Sequence, residues 1–186
     1  MERMKIAGIS GSLRKGSYNT ATLRAVGALL PDDTDFEIIT LEEIEPFNED
    51  VEAEGWPPGV ESAREKLNGA AGIIMATPEY NYGISGVLKN AIDWFSRPTG
   101  EGPICGKPLT ILGASPSKTG TARAQSQLRD AAFYNAMPLL TSSEVLISNA
   151  AEKFTDDGVL TDNETREFLA RMIEDFIPWV ELNRSN

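Results

Sequence analysis

Short apolar runs alternate with longer segments of helical periodicity along this chain. Runs of strand length, with β-branched residues and flanking Gly or Pro, predict strands at residues 4–10, 36–41, 71–77, 108–114 and 143–148. Apolar residues recur at helical spacing on the segments between and after them, with a weaker helix near residues 59–67. The helical sets are Leu23, Val26 and Leu30; Val87, Leu88, Ala91, Ile92 and Phe95; Leu128, Ala131, Ala132 and Phe133; and Phe168, Leu169, Met172, Ile173, Phe176 and Val180.

This alternation predicts a parallel sheet, because parallel neighbours need a crossover that usually returns through a helix. We expect an α/β three-layer sandwich whose five-stranded sheet has the flavodoxin-like order 2-1-3-4-5. The loops after strands 1, 3 and 4 should then form the ligand site, beside the point where the strand order reverses. The length of 186 residues, 41% of them apolar, predicts a single domain, residues 1–186. Residues 45–59, rich in Pro, Gly and acids, are predicted to be a solvated surface loop.

Composition excludes several classes of function. A formal net charge of -11 would repel a phosphodiester backbone, so we expect no nucleic-acid partner. The apolar runs are too short to span a bilayer and the amino terminus does not resemble a signal peptide, so we expect no membrane association and a cytoplasmic location. With no His and one Cys, the chain can form no intrachain disulfide, Cys/His zinc site or Ser-His-Asp triad. We interpret Cys105 as a small semi-apolar residue at a loop edge, so redox chemistry here would need a cofactor.

The segment ISGSLRKGSYN after the first strand has the features of an anion-binding loop. Gly11 and Gly16 have the G-x-x-x-x-G spacing of a Walker loop, but Ser17 and Tyr18 follow where that motif needs Lys and then Ser or Thr. The spacing of its glycines also differs from the dinucleotide fingerprint G-x-G-x-x-G. A strand-to-helix loop with hydroxyl side chains and free N–H donors suits a single phosphate, and Arg14 can add a bidentate contact. The alternative is a helix capped by Ser17 with solvent-exposed cations.

The segment TPEYNYGISG at residues 77–86 follows the most apolar predicted strand. It combines amide groups with aromatic faces, the mixture that grips a flat heteroaromatic ring with polar edges. Ser85 is predicted to cap the helix that follows. The alternative is an ordinary turn with two surface tyrosines. The residues expected at the crevice are Glu79, Tyr80, Asn81 and Tyr82.

The segments GSLRKGSYN (residues 11–19) and PEYNYGISGVLKNAIDW (residues 78–94) closely resemble the NADPH-dependent FMN reductase family, which includes chromate and quinone reductases of flavodoxin-like fold. The likeness continues through residues 106–115 and 123–129. The resemblance implies that FMN is bound by two loops and by a residue after strand 4. The implied phosphate ligands are Ser12, Arg14, Ser17 and Asn19, with Leu13 and Tyr18 in the same loop; the implied ring segment is Pro78, Glu79, Tyr80 and Asn81, with Tyr82; the further flavin contact is Ser115.

The resemblance implies an NAD(P)H oxidoreductase that passes electrons from NADPH or NADH through bound FMN to quinone, chromate, azo or flavin acceptors. A flavodoxin-like electron carrier without its own NAD(P)H oxidation is the alternative. Residues 115–125 depart from the glycine-rich turn that members of the family often have there, so the preference between NADH and NADPH stays open. The sequence assigns no catalytic acid or base. We interpret Glu79 as structural, because a neighbouring phosphate and an anionic reduced flavin disfavour a nearby negative charge. The resemblance also implies a homodimer or homotetramer, for which the helices at residues 87–96 and 121–136 are candidate interfaces.

Overall fold

The computed structural model describes residues 3–142 and 144–184 of the chain. Its strands are β1 (Met4–Ser10), β2 (Thr34–Ile39), β3 (Gly72–Ala76), β4 (Glu79–Tyr80), β5 (Gly83–Ile84), β6 (Leu109–Ala114) and β7 (Val145–Ile147). Its α-helices are α1 (Tyr18–Gly27), α2 (Glu49–Glu54), α3 (Pro58–Gly69), α4 (Gly86–Phe95), α5 (Ala122–Tyr134) and α6 (Asn163–Asn183), with a 3-10 turn at Ala150–Glu152.

The main sheet has the order β2-β1-β3-β6-β7, with every pairing parallel. The predicted flavodoxin-like order is therefore confirmed. Strands β3 and β6 are buried along their whole length, as expected of central parallel strands covered on both faces. One apolar core lies between the sheet and α3, α4 and α5, and the other lies between the sheet and α1 and α6. No helix among the described residues is both long and apolar enough to cross a membrane.

Local boundaries differ from the predictions in several places. Strand β2 begins at Thr34 and ends at Ile39, two residues earlier than predicted at both ends, because its pairing with β1 runs from Met4↔Thr34 to Ile9↔Ile39. Leu30 was predicted on the apolar face of the first helix, but that helix ends at Gly27. Phe133 was predicted on a buried face of α5 and is 88% exposed. Ser143, at the start of the last predicted strand, lies outside the described residues, and β7 begins at Val145.

The prediction of a solvated loop at residues 45–59 is wrong in part, since most of these residues are exposed but the segment contains a helix and packs against α4. Helix α2 lies within this segment. The aromatic residues on either side of α2 pack beside Trp94 of α4, whose side chain is fully buried. The Phe47 ring centroid lies 4.9 Å from that of Trp94, and the Trp56 centroid lies 6.2 Å away. The Trp94 Nε1 donates to the Glu45 carbonyl at 2.8 Å. These aromatic contacts attach the segment to α4, while most of its acidic residues are exposed.

Candidate functional site

The loops after β1, β3 and β6 meet at the carboxyl edge of the sheet. The Gly11 N–H donates to the Ala76 carbonyl at 2.8 Å, where the first loop passes the end of β3. The Ser85 hydroxyl donates to the Gly11 carbonyl at 2.6 Å, which ties the second loop to the first. Gly11 suits this crossing, because a Cβ there would be in tight contact with a Leu88 methyl at 3.0 Å and the Ala76 oxygen at 3.1 Å. The loops predicted to bind the ligand are thus held in direct contact.

The first loop ends in the predicted helix cap. The Ser17 hydroxyl accepts from the Thr20 N–H at 3.2 Å, and the Ser17 N–H closes a turn onto the Arg14 carbonyl at 3.1 Å. The first helical turn then presents the N–H groups of Tyr18 and Asn19, which have no carbonyl partner within the helix. The two interpretations of this loop, a capped helix and an anion site, are compatible with each other. The Ser17 hydroxyl accepts one hydrogen bond as a cap and can still donate its own hydrogen to an anion.

The charge of this loop is one-sided. Between Ile9 and Thr20 the chain carries Arg14 and Lys15 and no carboxylate. Both cations are exposed, and among the described residues neither is within ion-pair distance of a carboxylate. In a chain of net charge -11, this cationic loop beside the start of a helix has the local electrostatics that favour an anion.

The second loop forms a hairpin that the sequence did not predict. Glu79 pairs with Ile84 and Tyr80 with Gly83, which leaves Asn81 and Tyr82 as a two-residue turn. Both turn residues have positive φ, 51° and 65°, as a type I′ turn requires. Asn tolerates this left-handed region, but Tyr rarely enters it. The turn therefore presents aromatic side chains in a conformation that the surrounding structure must support.

Glu79 caps a helix that is distant in the sequence. Its carboxylate accepts from the backbone N–H groups of Arg123 and Ala124 at 2.9 and 3.3 Å, at the start of α5. The Arg123 guanidinium also donates to it at 3.0 Å. Thr121, the residue before α5, makes no side-chain cap of its own. The interpretation of Glu79 as a structural residue agrees with these contacts, because its charge is neutralised by a cation and by the helix amino terminus.

The chain matches known proteins along most of its length. The sequence profile of the NADPH-dependent FMN reductases matches residues 4–152, which include all three loops. The chain therefore belongs to the NADPH-dependent FMN reductase family. It is 46% identical over 177 residues to an NAD(P)H-dependent FMN reductase of Pseudomonas aeruginosa, with 95% of each chain covered. It is 38% identical over 180 residues to a quinone reductase of Pseudomonas putida, covering 97% of this chain and 96% of the relative.

A solved structure of a flavoenzyme has the same fold as this FMN reductase family member. The structure of FerB, an NAD(P)H:(acceptor) oxidoreductase from Paracoccus denitrificans, superposes with a TM-score of 0.88 at 30% identity. The match covers 97% of this chain and 98% of FerB. The likeness thus includes α6, which lies beyond the residues matched by the family profile.

The third loop of this family member contains a chain of hydroxyl groups. The Ser115 hydroxyl donates to that of Ser117 at 3.1 Å, and the Ser117 hydroxyl lies 3.2 Å from that of Thr119. The loop is joined to the end of α1 that faces the crevice, because the Asn19 amide exchanges hydrogen bonds with the Ala114 backbone at 2.9 and 3.0 Å. Ser115, the next residue, is thereby placed beside the first loop.

The predicted site residues all lie at this edge of the sheet, but they differ in how exposed they are. Ser12, Ser17, Asn19 and Pro78 are buried; Tyr18, Glu79 and Ser115 are half-buried; Leu13, Arg14, Tyr80, Asn81 and Tyr82 are exposed. The Asn19 side chain is oriented towards Ala114 by one donated and one accepted hydrogen bond, and its backbone N–H at the start of α1 has no carbonyl partner within the helix. Sequence reasoning did not predict that Arg123 and Gln127 contact the second loop from α5. No local pattern marks them, because their partners lie more than 40 residues away.

Replacing Ser85 with alanine is expected to lower the free energy of unfolding by about 1 to 3 kcal/mol. The buried hydroxyl accepts from the Leu88 N–H at 3.3 Å and donates to Gly11, so the change removes a helix cap and a link between two site loops. Urea unfolding followed by circular dichroism measures the effect. Ser62→Ala, on the exposed side of α3, is the matched control and should change stability by less than about 0.5 kcal/mol. Equal stabilities of the two variants would contradict the linking role.

Proposed function

We propose that this chain is an FMN-dependent oxidoreductase that takes electrons from NADPH or NADH and passes them to quinone-type acceptors. The observation that carries the proposal is that a hydrogen bond from Ser85 to Gly11 joins the cationic first loop to the second loop, which contains the aromatic turn, in a member of the FMN reductase family. One loop offers donors for a phosphate and the other offers faces for a ring. FMN has both groups at its two ends.

The donor set of the first loop fits a monophosphate. We assign the phosphate to the hydroxyls of Ser12 and Ser17, the N–H groups at the start of α1 and the Arg14 guanidinium, with Leu13 in the same loop. A phosphate is stabilised here by the helix dipole. Each hydrogen bond to the charged phosphate contributes about 1.5 to 3 kcal/mol more. A metal ion is not needed for charge balance, because Arg14 and Lys15 both flank these donors.

The second and third loops are assigned to the ring. We assign the isoalloxazine contacts to Pro78, Glu79, Tyr80, Asn81 and Tyr82, and a further contact to Ser115. Pro78 is buried and fixes the chain as it leaves β3, while the tyrosines remain exposed enough to meet a planar group. The Glu79 carboxylate is turned to α5 and neutralised there, so it does not oppose negative charge in the crevice.

FMN held by these residues would supply the redox chemistry, hydride acceptance from NAD(P)H and electron transfer to the acceptor. The protein then supplies position, electrostatics and access, which agrees with a chain that has no His. The backbone N–H groups at the crevice are preorganised dipoles that favour negative charge there. We assign no side chain as proton donor.

Quinones are the acceptors that the relatives favour. The 38% identical Pseudomonas putida protein is a quinone reductase, and FerB is an NAD(P)H:acceptor oxidoreductase. We extend the proposal to chromate, azo compounds and free flavins, since an exposed reduced ring limits small acceptors only loosely. We further propose that the whole chain works as one domain in the cytoplasm, without nucleic acid or membrane partners, as the net charge of -11 favours.

We also propose assembly as a homodimer or homotetramer through α4 and α5. A groove of about 480 Å³ lies between these helices, lined in part by Ile84, Ile92, Ala131 and Tyr134. Phe133 and Tyr134, at the end of α5, are 88% and 72% exposed. Exposed aromatic groups beside a groove are typical of protein interfaces.

The purified protein tests the proposed function. We expect a yellow protein, or an apoprotein that becomes yellow on titration with FMN, and NAD(P)H consumption that depends on added quinone. Absorbance from 300 to 550 nm and NAD(P)H oxidation at 340 nm measure the two properties. A flavodoxin-like carrier would bind FMN without oxidising NAD(P)H, which would contradict the enzyme assignment. A protein that stays colourless after titration would contradict the flavin site itself.

A further inference from the structure

The turn assigned to the flavin ring does not maintain its own conformation. Strands β4 and β5 have two residues each, too few to stabilise a hairpin alone. Its turn places Asn81 and Tyr82 at positive φ, and Tyr82 is 69% exposed, so the apolar core does not hold that ring. A conformation of this kind persists only where the surroundings impose it. The surroundings here are the residues of α5.

Helix α5 contacts the hairpin at both ends. The Gln127 Oε1 accepts from the Ile84 N–H at 3.0 Å, on the strand that leaves the turn. Gly83 permits this approach, because a Cβ on it would lie only 2.9 Å from the same oxygen. On the strand that enters the turn, Arg123 donates to Glu79 at 3.0 Å. The Arg123 guanidinium carbon also lies 3.9 Å from the centroid of the Tyr82 ring.

Helix α5 is itself fixed to the sheet, so it can serve as a support. Gln125 is buried and its Nε2 donates to the Val145 carbonyl at 2.8 Å and to the Thr121 hydroxyl at 3.1 Å. Ala124 and Leu128 are buried against the sheet on the same face. The support is mutual, because Glu79 of the hairpin caps the first turn of α5.

We propose that Gln127 and Arg123 are positioning residues for the flavin, acting through the hairpin that they hold rather than by contact with the cofactor. This inference rests on the proposed function, in which residues 78–82 bind the ring. It predicts that flavin affinity responds to side chains on α5 whose loss leaves the fold intact. The hairpin is then preorganised before FMN binds, so binding does not have to supply the free energy of ordering it.

The test uses variants of the full chain. Gln127→Leu removes the acceptor for Ile84 and is expected to raise the FMN dissociation constant about fivefold. Gln127→Glu places a carboxylate oxygen where the amide oxygen accepts, and its dissociation constant should stay within about twofold of that of the parent protein. Arg123→Ala removes both the ion pair and the aromatic contact and should raise the constant about tenfold or more. Arg129→Ala is the matched control on the same helix, since Arg129 pairs with Glu144, away from the hairpin, and should leave the constant unchanged.

Two further measurements separate positioning from a general structural role. Hydrogen exchange of the Ile84 amide in the apoprotein should accelerate in Gln127→Leu and recover in Gln127→Glu. The thermal midpoints of the apoproteins should agree within about 2 °C. Unchanged Ile84 exchange would overturn the inference, and so would equal FMN affinities of Gln127→Leu, Arg123→Ala and Arg129→Ala. The inference would also be overturned if the FMN affinity of the variants fell only in proportion to the thermal midpoints of their apoproteins, because general destabilisation would then explain the loss. In each of these cases the parent protein still binds FMN, whereas failure of the parent to bind FMN would overturn the proposed function as well.

Discussion

Replacing Arg14 with alanine is expected to weaken FMN binding about 10- to 100-fold. Arg14 is exposed and, among the described residues, has no carboxylate partner, so its guanidinium is available to the phosphate. The same exposure means that the free energy of unfolding of the apoprotein should change by less than about 0.5 kcal/mol. Titration of the apoprotein with FMN, followed by flavin fluorescence, measures the dissociation constant.

Arg171→Ala is the control for Arg14→Ala. Arg171 is an exposed arginine on α6, so the control changes the net charge equally without touching the crevice. A contact between Arg14 and the phosphate should also weaken with added salt, and this dependence should be smaller in Arg14→Ala than in the control. Equal affinities in the two variants would show that the anion site lies elsewhere.

Replacing Gly113 with alanine is expected to lower the free energy of unfolding by about 2 to 3 kcal/mol and to weaken FMN binding. A Cβ at this position would lie 1.8 Å from the Thr121 hydroxyl oxygen and 2.6 Å from the Thr77 carbonyl oxygen. The second contact is with backbone, so rotation of the Thr121 side chain cannot relieve the overlap. The chain must therefore shift where α5 begins and where the loop to Pro78 leaves β3.

Chemical denaturation measures the stability of Gly113→Ala, and FMN titration measures its affinity. Gly69→Ala is the matched control, because a Cβ on Gly69 meets no heavy atom within 4 Å at the end of α3. That control should be neutral or slightly stabilising, since alanine favours helix more than glycine does. Equal stability of Gly113→Ala and Gly69→Ala would show that the sheet accommodates the extra methyl group.

The parts of the site that the sequence predicted are those set by neighbouring residues. Ser85 was predicted as a helix cap and Ser17 was given as a cap in the alternative interpretation of its loop, and both accept from N–H groups three residues later. Capping depends on one side chain and the turn that follows, so a short segment contains the whole cause. The order of the sheet was predictable for a related reason, because alternation of strands and helices leaves few topologies.

Other contacts of the site depend on pairs distant in the sequence. The hairpin at Glu79–Ile84 has Asn-Tyr in its turn and lacks the Asn-Gly signal, so the sequence did not predict it; the contacts that support it come from Arg123 and Gln127 of α5. The hydrogen bonds between the Asn19 side chain and the Ala114 backbone, 95 residues away, could not be predicted from the loop alone. The acidic composition of residues 45–59 did not indicate that this segment packs beside Trp94. That packing depends on an aromatic surface of α4, which is distant in the sequence.

The sequence by itself determined the flavodoxin-like order, the cationic character of the first loop and the family to which the chain belongs, because each depends on residue types and their spacing. Only the tertiary structure decided that Glu79 faces α5 and that Gln127 and Arg123 hold the hairpin. It also showed why Gly113 must lack a side chain. The physical reason is that hydrogen bonds and steric overlap act over a few ångströms in space, and folding alone brings these residues within that distance.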